Sequence, residues 1–423
     1  MIYTLQQKVI DNIIVFLLVM SSGGMLFVFN RNIMYGVFLI FLVFVFVGNI
    51  SKLKKPLLNA SLLGFFGFLF LFLLNYFSAI SVQSLNKYGY YMMVIVVCLL
   101  TVFHFSNNRK EYHFVERLYF VLKIIVIHAS INVLVFSLFK NNLSVISNSF
   151  HECQTFLNIF FYSALDKKFT LISFMGLDFY RNQGLFWEAG VLQVFLNIFL
   201  YLELFIFKKN KILVLLAVFA ILTTYSTSGI TILLLQIAYY VISEMKNSKV
   251  LIPVVLSLSI PIYLIFSANV EEKILGEKEA SFQKRYFDLI QPLFIAIQNP
   301  ITGIGLDLTK FQEYRSSFYF ESSVFDVIQD EVGLDLKMEI TDQGSSNSFM
   351  FLLSTMGFPT FFLFMYMFFR QQLFVEKKYL LYSIVIISLM TSPLLLRPFF
   401  FIFIISGFVH TFYKITSYKK LLS

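Results

Sequence analysis

The sequence NASLLGFFGFLFLFLLNYFSA, at residues 59–79, contains no charged side chain. A helix needs about 20 mostly apolar residues to cross the roughly 30 Å hydrocarbon core of a bilayer, and this run is long enough. Similar runs recur along the chain and predict an all-α, polytopic membrane protein. The twelve predicted transmembrane helices are residues 13–29, 33–49, 59–79, 89–106, 118–138, 189–207, 212–227, 229–244, 250–267, 348–369, 379–394 and 398–413.

The composition excludes a soluble globular domain. Of the 423 residues, 58% are hydrophobic and 13% are charged, and this charged share is about half that of soluble domains. The formal net charge of +9 lies mostly in short loops between apolar runs, where it sets the topology, so it does not indicate nucleic-acid binding. Cys98 lies in an apolar run and Cys153 in a loop, which indicates no disulfide framework.

Lysine and arginine are distributed unequally between alternate loops. One set of short loops, with both ends of the chain, carries most of them, whereas the opposite short loops hold only Arg31, Lys87 and Arg397. Because positive charge stays on the cytoplasmic side, both termini are predicted to be cytoplasmic. The two long loops, residues 139–188 and 268–347, are then predicted to face the periplasm. They would belong to a single integral domain of a bacterial inner membrane that covers the whole chain.

The second long loop contains an amphipathic pattern. Apolar side chains recur there at helical spacing, which predicts a helix along the membrane surface with a kink at Pro292. Arg285 lies off this stripe, where it can meet a phosphate, although a solvated arginine is the common alternative. The stripe consists of Phe282, Tyr286, Leu289, Ile290, Leu293, Phe294 and Ile297.

Four polar or glycine-containing clusters lie in or beside the predicted outer loops. The first is RNQGLFWEAG at residues 181–190, directly before the sixth predicted helix. If this segment were helical, Arg181 and Glu188 would lie on one face, two turns apart. A structural alternative makes Trp187 a headgroup anchor and lets Glu188 favour the start of a helix. That alternative accounts less well for the arginine, the glutamine and the first glycine.

The other three clusters also border predicted helices. STSG at residues 226–229 opens the eighth helix, where exposed amides favour anions. The third cluster is RYFD at residues 285–288, within the amphipathic pattern, and continues to NPITGIG at residues 299–305. The fourth is SSNS at residues 345–348, which opens the tenth helix. For both serine-rich clusters an N-cap is the simpler alternative. The chain has no CxxC, HExxH or GxxxxGK[ST] motif, and its five histidines are scattered, so no metal or nucleotide site is predicted.

Together, the clusters resemble the Wzy-like membrane glycosyltransferases of the O-antigen polymerase and ligase superfamily, a GT-C-like class. The family shows Arg-x-x-Gly-x-Phe-x-Glu-Pro-Gly before a helix, and residues 181–190 match it except that Ala189 replaces the proline. The family also has a serine- or threonine-rich turn that opens a helix. Residues 226–229 match this turn, but Gly229 stands where the family often has arginine.

Two further family elements lie nearer the C-terminus. One is an arginine upstream of Pro-x-x-Gly-x-Gly, which Arg285 and residues 300–305 match. The other is a His-Asn pair that opens the helix after the large loop, and this pair reads Ser346-Asn347 here. The missing histidine leans away from the ligase branch of the superfamily, in which that residue is prominent.

The resemblance implies a repeat-unit polymerase that acts without a metal or other cofactor. Such an enzyme moves a growing glycan from undecaprenyl pyrophosphate to another lipid-linked repeat unit at the periplasmic face. Arg181 and Arg285 would bind the pyrophosphate, since arginine suits phosphate through its planar fork, and Glu188 would be the general base. Substrate binding is assigned to Gln183, Gly184, Ser226, Ser228, Gly303, Gly305, Ser346, Asn347 and Arg397.

The implied partners are undecaprenyl-pyrophosphate-linked oligosaccharides as donor and acceptor, the lipid bilayer and a chain-length regulator protein, but no nucleic acid. Two alternatives stay open. One is a ligase that transfers the glycan to lipid A core, and the other is a flippase for lipid-linked oligosaccharides or another transporter. A transporter should carry charged residues near the bilayer centre, whereas Lys123 and Glu203 lie near the ends of predicted helices.

Overall fold

A computed structural model shows a mostly helical chain that divides into two compact units. Unit 1 comprises Met1–Gly36, Tyr112–Lys278 and Phe374–Ser388, and unit 2 comprises Val37–Glu111, Glu279–Leu373 and Leu389–Ser423. The predicted single membrane domain stays a prediction. The structure describes residues 5–50, 53–108, 113–148, 151–163, 171–174, 177–244, 279–321 and 345–419, with positions 253, 257, 260, 262–267 and 270.

The helices follow the apolar runs of the sequence. They are α1 (Leu5–Met20), α2 (Met25–Phe29), α3 (Arg31–Gly48), α4 (Lys55–Ser78), α5 (Leu85–Asn108), α6 (His113–Phe139), α7 (Ala189–Tyr201, continued by a π-helix at Leu202–Phe207), α8 (Lys211–Thr223), α9 (Thr227–Glu244), α10 (Glu279–Gln298), α11 (Leu308–Glu321), α12 (Ser348–Phe369), α13 (Lys378–Thr391) and α14 (Pro398–Lys419).

Among the described residues, seven helices are long and apolar enough to cross a membrane: α3, α4, α5, α6, α7 with its π-helical end, α12 and α14. Four shorter apolar helices accompany them, namely α8, α9, α13 and the C-terminal part of α10. The all-α polytopic fold class is therefore confirmed. The ninth predicted helix, residues 250–267, lies largely outside the described residues.

Residues 13–29, expected to form one helix, are divided between α1 and α2, so that prediction is wrong. Ser21 and Ser22 donate their hydroxyls back to the Leu18 carbonyl, at 2.8 and 3.2 Å, in the turn that ends α1. Such side-chain bonds compete with the helical pattern of backbone bonds. The Ser-Ser-Gly-Gly sequence that follows Met20 thus forms a turn inside the apolar run.

In the described residues of the first long loop, five short strands are present that were not predicted from the sequence. They form an antiparallel sheet of β1 (Ser144–Ser147), β2 (Glu152–Phe156) and β3 (Phe160–Ser163), and a hairpin of β4 (Leu171–Phe174) and β5 (Leu177–Tyr180). Cys153 of β2 packs with Met25 and Phe161. Burial, assisted by the neighbouring charge of Glu152, raises the pKa of the Cys153 thiol to about 12.

In unit 2, α12 is interrupted at Gly357, where φ is 76° and ψ is 169°. Residues 300–305 restore backbone bonds across this break. Two of their amides donate to the carbonyls of Ser354 and Thr355 at 3.0 Å, and the Phe358 amide donates to their first carbonyl at 2.8 Å. Because unpaired backbone groups are costly in apolar surroundings, this pairing makes a broken helix tolerable.

A helix covers the predicted amphipathic segment, but α10 packs into unit 2 through a different face. Its buried side chains include Phe287, Asp288 and Ile295, which are 3%, 0% and 0% exposed. The predicted stripe lies on the other side, where Ile297 is 55% exposed and Leu293 is half-buried. This second face is only partly covered by protein, and the placement of α10 along the membrane surface stays a prediction.

Candidate functional site

The first motif segment, residues 181–188, is extended and turned rather than helical. Helical spacing therefore does not place Arg181 beside Glu188. The segment instead pairs with the turn between α1 and α2, because the Met25 amide donates to the Leu185 carbonyl at 2.8 Å and the Trp187 amide donates to the Gly23 carbonyl at 3.1 Å.

Arg181 is held beside the connection between α8 and α9. Its Nε donates to the Thr224 carbonyl at 3.0 Å, and the next amide, that of Asn182, donates to the Thr223 carbonyl at 2.9 Å. The buried Asn182 side chain also bonds to the Ala129 carbonyl of α6 at 2.8 Å. The first cluster therefore contacts the turn directly before the second cluster, about 40 residues further along the chain, in unit 1.

Gln183 and Gly184 are buried between these anchors. The Oε1 atom of Gln183 accepts a bond from the Ser163 hydroxyl at 2.8 Å, while its Nε2 finds no hydrogen-bond partner among the described residues. A buried donor without a partner is costly, so this amide favours an oxygen ligand. Gly184 follows with a φ of 53°. Substrate binding by these two residues stays a prediction.

Glu188 occupies the N-cap position of α7 but does not cap the helix with its side chain. Its carboxylate lies over the first turn, because a Cβ added to Gly190 would stand 3.1 Å from its Oε1. The half-buried carboxylate makes no hydrogen bond or ion pair with any described residue. It is close to the positive end of a helix, and it is available to accept a proton.

Ser226 and Ser228 are buried at the start of α9, 4% and 7% exposed. Their hydroxyl oxygens are 3.1 Å apart, and the Gly229 amide donates to the Ser226 hydroxyl at 3.4 Å. The capping alternative is therefore seen at Ser226. A side chain at Gly229 would stand 2.9 Å from the Cβ of Gln193, which explains why no arginine fits at this position.

A chain of buried amides continues from Ser228 into the helices. Gln193 donates to the Ser228 hydroxyl at 3.4 Å, Asn197 donates to Gln193 Oε1 at 3.0 Å, and Gln236 of α9 donates to Asn197 Oδ1 at 3.0 Å. All three amide side chains are fully buried. This chain of amides was not predicted from the sequence, although two amides four residues apart in an apolar helix are a usable signal.

In unit 2, the third and fourth clusters meet at Asp288. Its fully buried carboxylate accepts bonds from Arg315 Nη1 at 2.7 Å and from the Ser346 amide at 2.8 Å. Arg315 Nε also donates to Gln291. Arg315 and Gln291 were not predicted as site residues, because no local pattern in α11 indicates that an arginine there reaches α10. Arg285, one turn before Asp288, is exposed.

Asn347 and Ser346 differ in their surroundings. Asn347 Oδ1 accepts bonds from the amides of Phe349 and Met350 at 3.1 and 3.2 Å, so Asn347 is the N-cap of α12. The Ser346 hydroxyl is buried and has no partner among the described residues. Arg397 lies in the connection between α13 and α14, and its Nη1 donates to the Tyr90 hydroxyl at 3.4 Å.

Gly303 and Gly305 are both buried against protein. A Cβ on Gly303 would overlap the Thr355 backbone, and a Cβ on Gly305 would overlap the Gln83 side chain. The absence of a side chain at these two positions is thus required for residues 300–305 to approach the broken helix. This structural role accounts for both glycines, and their contact with substrate stays a prediction.

The described part of the chain contains no group of three or more histidine, cysteine, aspartate or glutamate side chains that could hold a metal ion. Residues 212–365 match the family described as O-Antigen ligase. The resemblance to the O-antigen ligase and polymerase superfamily is confirmed. Members of that superfamily are membrane glycosyltransferase-like enzymes, and the match indicates a ligase- or polymerase-type function. No curated protein and no solved structure gave a significant match.

The matched range contains three of the four clusters and leaves out residues 181–190. The geometry nevertheless joins that first cluster, through Arg181 and Asn182, to the turn directly before the second. The candidate residues are found in both units. Arg181 and Glu188 belong to unit 1, and Arg285 and Ser346 belong to unit 2.

Proposed function

We propose that this multi-pass membrane protein is a repeat-unit polymerase of a surface polysaccharide such as O-antigen. It moves a growing glycan from undecaprenyl pyrophosphate to the sugar of a second lipid-linked unit. The observation that carries the proposal is the pairing of the four motif clusters. The Arg181 cluster meets the turn before α9, and the Arg285 helix meets the start of α12 through Asp288.

The proposed reaction needs one base and two cationic groups. The acceptor hydroxyl attacks the anomeric carbon of the donor glycan, its proton passes to Glu188, and the bond from that carbon to the pyrophosphate oxygen breaks. Undecaprenyl pyrophosphate leaves with increased negative charge. Arg181 and Arg285 stabilise this charge through charge-assisted hydrogen bonds. No metal is included in this proposal.

Ser346 favours a polymerase over a ligase. The family's histidine is absent, and a serine hydroxyl does not titrate near neutral pH, so it cannot replace histidine as a base. A ligase is the second candidate, because the description of the matched family is O-Antigen ligase. In that case, the same donor would transfer its glycan to lipid A core.

A transporter is less well supported. Glu203 is a buried carboxylate beside the π-helix, but it accepts bonds from the Tyr119 hydroxyl at 2.5 Å and from the Lys209 amide at 2.6 Å. Asp11 is similarly buried and contacts His113 at 2.5 Å. Both carboxylates thus have structural partners, and neither needs a transported ion to compensate its charge.

Reconstitution separates the three functions. The purified protein is placed in vesicles with lipid-linked repeat units extracted from cells that carry its gene. A ladder of lipid-linked multimers without added lipid A core supports the polymerase. Product that forms only on lipid A core supports the ligase instead. Movement of the repeat unit across the bilayer without a new glycosidic bond would reject both enzymes.

We also propose that the strands of the first long loop face the periplasm and that the C-terminus is cytoplasmic. Ser147→Cys in β1 and Ser417→Cys in α14 test this orientation with a membrane-impermeant thiol reagent on spheroplasts. Labelling at position 147 alone is expected, and labelling at position 417 alone would reverse the topology. The two native cysteines are buried, so their contribution to labelling is small.

A further inference from the structure

The turn between β2 and β3 has an unusual composition for a hairpin. Leu157 and Asn158 adopt φ angles of 56° and 55°, a left-handed conformation that favours glycine or asparagine. Leu157 is nevertheless 70% exposed, and Ile159 is 51% exposed. A hairpin turn that faces water gains nothing from two large apolar side chains, one of which is in a strained backbone conformation.

This turn lies beside the middle of α6 and not at the C-terminal end of that helix. The Ile159 carbonyl accepts a hydrogen bond from His128 Nε2 at 3.1 Å, and the His128 ring stacks on Phe160 with centroids 5.0 Å apart. His128 precedes the last residue of α6, Phe139, by three turns. At 1.5 Å per residue, the turn is therefore roughly 16 Å below the end of the helix.

The length of α6 places this level inside the hydrocarbon core. Its 27 residues give a helix about 40 Å long, against a core of about 30 Å. Even if the whole excess protruded at the C-terminal end, His128 would still be about 6 Å inside the core. The charged residues Glu116, Arg117 and Lys123 all lie in the N-terminal half of α6. The excess helix length therefore protrudes at the N-terminal end, and His128 lies deeper in the hydrocarbon core.

Backbone groups near the turn are satisfied by protein side chains. The carbonyl of Ile159 bonds to His128, the carbonyl of Phe160 accepts from the Thr155 hydroxyl at 2.9 Å, and the carbonyl of Phe161 accepts from Asn132 at 3.4 Å. Non-helical backbone at membrane depth needs protein partners in place of water, and these three carbonyls have them.

The neighbouring face of α6 is a continuous apolar stripe. Its members recur every three or four residues and are 37% to 75% exposed: Ile124, Ile127, Ile131, Leu134 and Leu138. A stripe of this kind on a spanning helix faces lipid. The exposed side chains of the hairpin turn therefore extend a surface that lipid already covers.

We propose that the β2–β3 turn is inserted into the bilayer, with Leu157 and Ile159 in contact with phospholipid acyl chains. The first long loop is then anchored to the membrane at its tip as well as at both of its ends. This anchor fixes the position of the sheet that supplies Ser163, the partner of Gln183.

Depth-dependent fluorescence quenching tests the proposal. Leu157→Cys and the matched control Ser147→Cys, an exposed position at the far end of β1, are each labelled with bimane. The proteins are reconstituted into phosphatidylethanolamine and phosphatidylglycerol vesicles without isoprenoid lipid. Labelled wild-type protein measures the background from the two buried native cysteines.

We expect doxyl groups on the acyl chains to quench the label at position 157 at least threefold more than the label at position 147. Aqueous iodide should show the reverse preference. Equal iodide quenching at both positions would overturn the proposal. Quenching at position 157 by a doxyl-labelled isoprenoid lipid, but not by doxyl acyl chains, would also overturn it, because the partner would then be the isoprenoid chain.

An independent variant guards against an effect of the label. Leu157→Asn keeps the left-handed turn but removes the apolar side chain. With bimane at Ile159→Cys, this change should reduce acyl-chain quenching measurably, while thermal unfolding in detergent changes little. Unchanged quenching in the Asn variant would show that Leu157 does not hold the turn in lipid.

Discussion

Two interrupted helices in this protein are each paired with a segment that carries a family motif, but the two pairings use the motif residues differently. At the turn between α1 and α2, residues 185–187 contribute backbone bonds, while the side chain of Glu188 makes no bond to the described protein. At Gly357 of α12, residues 300–305 contribute backbone bonds and their glycines are buried by close packing.

The difference separates motif residues whose polar groups are available for chemistry from motif residues that allow two backbone segments to meet. In unit 1 the motif leaves a carboxylate and a buried amide donor available to a ligand. In unit 2 the glycines and Asn347 have complete structural roles, and the chemistry is left to Arg285 and Ser346. Substitutions should therefore affect the reaction rate at Arg181, Glu188 and Arg285, and folding at Gly303 and Asn347.

The largest effect is expected for Glu188→Gln. Glutamine keeps the size but cannot accept a proton, so polymer formation should fall about 100- to 10,000-fold, on the order of 3–5 kcal/mol in the barrier. Thermal unfolding should change little, because the carboxylate caps no amide. The matched control is Glu152→Gln, an exposed carboxylate in β2. Polymerisation within a few-fold of the parent would place the base elsewhere.

Arg181→Ala and Arg285→Ala should each reduce the rate by about 100- to 1,000-fold, because each removes a donor to the developing pyrophosphate charge. Single-unit products should persist in both variants. Arg181→Lys should recover little, since lysine cannot bond to the Thr224 carbonyl and also present a planar fork to phosphate. Arg31→Ala, at an exposed site, is the control. A normal distribution of polymer lengths from both alanine variants would contradict the role.

Gly303→Ala should act on stability. The added Cβ overlaps the Thr355 backbone, and the φ of 68° disfavours alanine, so a loss of about 2–4 kcal/mol is expected. Thermal unfolding in detergent measures this loss, and activity should fall only with the folded fraction. Gly67→Ala in α4, where a Cβ meets nothing within 4 Å, should have little effect. A stable but inactive Gly303→Ala protein would instead indicate contact with substrate.

The smallest effect is expected for Asn347. Alanine removes the acceptor for two amides of α12 and should cost about 1 kcal/mol, whereas aspartate keeps the cap. Activity and stability should then change in parallel across Asn347→Ala and Asn347→Asp. If Asn347→Asp unfolds at the parent's temperature but makes no polymer, the amide group itself serves the reaction.

The sequence allowed good prediction of helices that combine a long apolar run with a distinct boundary. The tenth predicted helix, residues 348–369, agrees with α12 because Asn347 gives a capping signal at its start. The twelfth began correctly at Pro398, a residue suited to the first turn of a helix. The prediction of the first helix was wrong because the long apolar run was given more weight than the turn signal of Ser21 to Gly24.

Prediction of the candidate site was limited by contacts between distant segments. Local patterns identified Arg181, Glu188 and Arg285, but nothing local indicates that Asp288 bonds to Arg315. For the same reason, the sequence does not show why glycine occupies position 229. A side chain there would meet Gln193 on another helix. The strands of the first loop were missed because they are only four or five residues long.

The buried amides of α7 and α9 have a consequence for the order in which the protein is made. Asn197 is synthesised 39 residues before Gln236, so its amide lacks this partner until α9 has been made. Neither helix inserts as favourably alone as it does in the presence of the other, because polar side chains raise the cost of entering lipid. We therefore expect α7 to stay beside the insertion machinery until α8 and α9 follow, and the three helices to enter the bilayer together.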